Sequence, residues 1–72
     1  MKISYTLTKW LQQTNQGELE LKEERDNKVS IWALLLRLGL NIRDYKVLVN
    51  GNPIQSHNTL VNSEDEIIIE EI

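Results

Sequence analysis

Seventy-two residues hold a single domain, and a domain this small buries only about 60% of its unfolded surface, which leaves a narrow margin of stability. The chain has no cysteine, which excludes disulfide staples, thiolate metal sites and cysteine nucleophiles and leaves the 40% of apolar residues to build one core. Eight basic residues against eleven acidic ones give a net charge of −3, and the basic ones (Lys2, Lys9, Lys22, Arg25, Lys28, Arg37, Arg43, Lys46) are scattered; phosphate binding needs concentrated positive charge, so nucleic acid is not an expected partner.

Ile3, Tyr5 and Leu7 alternate with Lys2, Ser4, Thr6 and Thr8, and this period of two predicts a strand with one buried face. The polar stretch 12–17, ending in Gly17, reads as a loop, after which Leu19 and Leu21 alternate with Glu18, Glu20 and Lys22 as the second strand of a hairpin. Trp10 and Leu11, at the end of the first strand, flank an interface or cover one end of the core.

The period then changes. Ile31, Leu34, Leu35 and Leu38 fall at i, i+3, i+4 and i+7, one face of a helix. Ser30 is the expected N-cap, its hydroxyl accepting from a first-turn amide, and Gly39 ends the helix because glycine enters the left-handed region freely. A strand follows over 45–49, with Val47 and Val49 on one face and Lys46 and Leu48 on the other; Asn50-Gly51-Asn52-Pro53 is a turn signal. Ile54 begins a brief return strand, 56–63 is an irregular connection around Leu60 and Val61, and 66–70 is the last strand, with three consecutive isoleucines.

This order predicts an α+β domain with one helix packed across a mixed sheet of four to five strands. The crossover rule sets the last strand parallel to the first at the sheet's centre, where apolar residues on both faces are tolerated. The longest apolar run, 31–36, is far short of the roughly 20 residues of a membrane span, and Met1 leads straight into the alternating segment without a signal peptide. The expectation is a soluble, cytoplasmic protein.

Three segments, 29–40 (VSIWALLLRLGL), 47–51 (VLVNG) and Leu60 followed by Glu64-Asp65-Glu66-Ile67, in this order and spacing, resemble the β-grasp sulfur carriers of the MoaD and ThiS families, and ubiquitin more distantly. They are similar to the families' "T-V-x-x-L-L-x-x-L-G-L", "V-x-V-N-G" and "L-x-x-G-D-E-I", with Glu64 standing where glycine is usual. The resemblance covers nearly the whole chain and implies a ubiquitin-like β-grasp domain that works through protein contacts and is not itself an enzyme. Its implied partner is an E1-like adenylating enzyme or a cofactor synthase subunit of the molybdenum or tungsten cofactor or thiamine pathways. In these families a C-terminal Gly-Gly is adenylated and converted to a thiocarboxylate, glycine being needed because a tail without side chains threads a narrow active site. The sequence here ends Ile69-Glu70-Glu71-Ile72, a few residues short of that position. Two readings stay open: a sulfur carrier whose last residues lie outside these 72, and a non-conjugating β-grasp interaction module. A third is an S4-type RNA-binding domain, whose Val49-Asn50-Gly51 and Asp65-Glu66-Ile67 spacing is similar, although the acidic charge and leading hairpin oppose it.

No catalytic, cofactor or metal-binding residues are expected. His57, the one histidine, sits in a polar loop, and Glu64, Asp65 and Glu66 lack the spread ligands and glycine turn of a calcium loop. The carboxylate runs 18–26 and 64–71 are solvated faces or steer a basic partner. Candidate partner-binding residues are apolar groups beyond the needs of the core, together with the chain end. Trp32 and Leu36 lie about 100° and about 140° round the helix from the centre of its buried stripe; Trp32 is a contact residue or borders the core against the hairpin. Leu48 and Ile68 point outward from neighbouring strands by parity, and Glu70, Glu71 and Ile72 complete the set.

Overall fold

The computed structural model describes residues 2–9, 13–21 and 28–72; Trp10, Leu11, Lys22 and most of the first carboxylate run lie outside the described residues. The elements are β1 (Lys2–Lys9), β2 (Gln13–Glu20), β3 (Val29–Ser30), α1 (Ile31–Arg37), β4 (Tyr45–Val49), β5 (Asn52–Pro53), β6 (Leu60–Val61) and β7 (Ile67–Glu71). Five strands form one mixed sheet in the order β2-β1-β7-β4-β5, and β3 pairs with β6 in a separate two-stranded ribbon. β7 lies at the sheet's centre, parallel to β1 and antiparallel to β4. The isoleucine triplet of β7 thus has a strand on each side, with Ile67 and Ile69 in the core and Ile68 on the opposite face beside Thr6 and Leu48.

One face of the sheet carries the core. Ile3 of β1, Val47 of β4 and Ile67 and Ile69 of β7 form a buried cluster with Ile31, Leu34 and Leu35 of α1, joined by Leu21, Tyr45 and Val61. The helical spacing of the α1 residues gives them one stripe, and burying each large side chain stabilises the fold by about 1.5–3 kcal/mol. Leu38, the C-cap of the helix, is half-buried and packs against this cluster.

Both ends of the helix are closed by specific bonds. Ser30 Oγ accepts from the Ala33 amide at 3.1 Å, while the amides of Ile31 and Trp32 donate to the carbonyls of Thr59 (3.0 Å) and His57 (2.8 Å). Three of the amides that a helix start leaves without intrahelical partners are so satisfied. At the other end the Gly39 amide reaches the Leu36 carbonyl and the Leu40 amide the Leu35 carbonyl, with Gly39 at φ +73°. This is a Schellman closure, and the Leu35 and Leu40 side chains that accompany it both join the core.

Four sequence expectations need correction. The stretch 13–17, expected as loop, is the first half of β2: Lys9 pairs with Gln13 and the ladder runs without a bulge to Lys2 and Glu20. Pairing with an already extended β1 satisfies the backbone of these polar residues whatever their own propensity. The return strand after the Asn-Gly turn is Asn52–Pro53, ahead of Ile54, whose amide still bonds the Val47 carbonyl at 3.2 Å. Leu60 and Val61, expected in an irregular connection, are β6, held by Val29 and Ser30. The last strand is shifted by one residue, Ile67–Glu71 instead of 66–70.

Candidate functional site

The face of the sheet away from the helix is built by the even-numbered residues of β1, β2, β4 and β7. Strand pairing aligns them in rows. Gln16, Thr6, Ile68, Leu48 and Pro53 follow one another across all five strands, and Thr14, Thr8, Glu70 and Lys46 form the next row. Leu48 and Ile68 are directly opposed at the centre of this face, half-buried and outside the core cluster. Beside them Glu70 stands opposite Lys46, a pairing of opposite charge that favours this register. Thr6 and Pro53, which flank the apolar pair, were not among the expected contact residues. Pro53 was legible: Asn50 (φ +53°) and Gly51 (φ +84°) are both in the left-handed region, as a two-residue type I′ turn requires, and that turn alone puts Pro53 opposite Leu48.

The other expected contact residues lie elsewhere. Trp32 is 50% exposed and Leu36 68% exposed. They line a small apolar groove of about 200 Å³ with Leu40, Asn41 and Ile42, on the helix side of the domain. Leu40 and Ile42 had no signal in the helical periodicity, because they follow the helix. Glu71 stands opposite Tyr45, and Ile72 is exposed with its amide donating to the Asp44 carbonyl at 2.8 Å. The structure therefore brings Leu48, Ile68 and Glu70 together and separates them from Trp32 and Leu36.

Two polar pieces of the sequence, around Asn50 and Asp65, clasp one another. Asn50 Nδ2 donates to Asp65 Oδ1 at 2.9 Å, Asn50 Oδ1 accepts from the Glu66 amide at 2.9 Å, and Asp65 Oδ2 accepts from the Asn62 amide at 2.8 Å. Asp65 thus ties the turn before β7 to the β4–β5 turn through Oδ1 and closes its own turn through Oδ2. Glu64 does not take a positive φ, since Asn50 is the one non-glycine residue that does so among the described residues; a glycine is not required there. No group of three or more His, Asp or Glu side chains among the described residues is placed to hold a metal ion, and no helix of the described residues is long and apolar enough to cross a membrane.

A polar cleft of about 380 Å³ crosses the other half of the same sheet face, where Ser4 and Thr6 form a low floor between Gln16 and Glu18 on one side and Asp65 and Glu66 on the other. Lys2 Nζ approaches Glu18 Oε2 at 3.9 Å, with both side chains well exposed, so this pair is a weak constraint on either.

No family model, curated protein or solved structure matches this chain.

Proposed function

We propose that this chain is a β-grasp domain, related to the MoaD and ThiS sulfur carriers, that works by binding another protein through the helix-free face of its sheet. The observation that carries this reading is the directly opposed Leu48–Ile68 pair at the middle of that face, bordered by Thr6, Pro53 and the Lys46–Glu70 pairing. The strand order, with the last strand parallel to the first at the centre and one helix across the opposite face, supports the fold assignment. An apolar centre with a charged rim on a rigid sheet is the usual anatomy of a protein interface, and no chemistry of its own is assigned to the domain. The partner of such a domain is an E1-like adenylating enzyme or a cofactor synthase subunit, and sulfur-carrier activity would further require a C-terminal Gly-Gly, which the intact mass of the native protein reveals.

The test is substitution of the two central residues. Leu48→Asp and Ile68→Asp, with Gln55→Asp at an exposed loop position as control, are compared for capture of a purified adenylating enzyme or synthase subunit. Each central substitution weakens binding by at least about tenfold, as expected for a desolvated hot spot, with circular dichroism unchanged. Unaltered binding by both variants would refute the assignment of this face.

A further inference from the structure

The two edges of the sheet differ. At one, β5 is two residues long and contains Pro53, which has no amide to donate and blocks further pairing. At the other, β2 runs for eight residues with no proline, no lysine and no bulge, and no strand lies beyond it among the described residues. Proline closes the first edge, whereas at the second the one such device among the described residues is the charge of Glu18 and Glu20. In an antiparallel ladder every second residue of an edge strand turns its N–H and C=O away from its neighbour, so β2 presents a template for one more strand.

From this edge we infer that the domain binds an extended segment of another protein by strand addition to β2, and that the segment carries Lys or Arg at alternate positions. The inference concerns a surface that adjoins the Leu48–Ile68 pair at Thr6 and does not depend on that pair. Charge selects the occupant. On the helix-free face β2 displays Thr14, Gln16 and Glu18, all exposed, and behind them lies the cleft floored by Ser4 and Thr6 and walled on its far side by Glu66. Strands are spaced by about 4.8 Å, so a Lys or Arg on the added strand passes over Glu18 and lowers its charged end into that cleft, toward carboxylates and hydroxyls. On the helix side the added strand would meet Leu19, which is half-buried and packed against the core; small apolar residues at the intervening positions extend that packing. A second copy of this chain is disfavoured, since each copy carries a net charge of −3 and presents the same Glu18.

The probe is a synthetic peptide of alternating valine and lysine, as long as β2, titrated into the ¹⁵N-labelled protein at low ionic strength. Amide shifts concentrate on residues 14–19, and Glu18→Lys weakens binding by about tenfold, the size of a modest change in one charge-assisted contact. Full N-methylation of the peptide removes every ladder bond it donates, sets methyl groups against the edge and abolishes binding, and Leu48→Asp leaves binding by the unmethylated peptide unchanged. The inference is overturned by any of four results: no binding, equal affinity of the N-methylated peptide, equal affinity of an alternating valine and glutamate peptide, or shifts centred on Ile68 or Trp32. The unaltered response of Leu48→Asp separates this outcome from the fate of the helix-free face.

Discussion

At the scale of single residues, Gly17 and Tyr5 show how a position that looks like a loop belongs to a strand. They are cross-strand partners, and a Cβ built on Gly17 would lie 2.5 Å from Tyr5 Oη and 2.7 Å from Tyr5 Cζ. The phenol ring lies over the glycine and covers a backbone that has no side chain of its own. Glycine normally weakens a strand; here its absent side chain is the space the ring occupies. Gly17→Ala should therefore destabilise the domain by about 1 kcal/mol, the low end for overpacking, because the atoms it meets are the tip of one side chain. In a Tyr5→Val background the same change should be close to neutral, leaving a coupling of about 1 kcal/mol in a double-mutant cycle followed by urea denaturation. Additive effects would mean that the ring does not rest on the glycine. Nothing in the local sequence reveals this contact, because Gly17 in a polar stretch carries the signature of a turn and the partner lies on another strand.

At the scale of elements, the helix is only seven residues long, too short to be stable by itself in water. Its ends and its buried face maintain it. Ser30→Ala removes the hydroxyl that accepts from Ala33 and should cost about 1 kcal/mol. Gly39→Ala meets no atom within 4 Å, so its cost, about 1 kcal/mol, comes from placing a Cβ at positive φ. The two sites share no contact, and the double variant should lose about 2 kcal/mol in chemical denaturation; a markedly smaller loss would mean that one cap is made by other groups. These caps were readable because capping is local chemistry: a hydroxyl before an apolar stripe, a glycine after it. The Asn50-Gly51 hairpin was readable for the same reason. The short β3–β6 ribbon was not, since two-residue strands have no period and Val29 meets Val61 only after the chain has folded back.

At the scale of the whole molecule, one layer of side chains between helix and sheet supports everything else. Leu34 is fully buried, whereas Leu36, two residues on, is largely exposed. Leu34→Ala should cost about 2–5 kcal/mol, a large share of the total for a domain whose stability is of order 0.05–0.15 kcal/mol per residue. Leu36→Ala should stay within about 0.5 kcal/mol. Thermal unfolding of the pair checks which face of the helix is inside; equal losses would contradict the packing described. The sequence by itself determined the order of the long elements, the helix and its caps, the Asn-Gly turn and the inward set of Ile3, Ile31, Leu34, Leu35, Val47, Ile67 and Ile69, because each follows from periodicity or from chemistry within a few residues. Only the tertiary structure decided the rest: the length of β2, the fit of Tyr5 over Gly17, the clasp between Asn50 and Asp65, and the separation of Trp32 and Leu36 from Leu48 and Ile68. Those features arise from pairing and close approach between segments distant along the chain, and no local pattern of polar and apolar residues encodes a distance between two such segments.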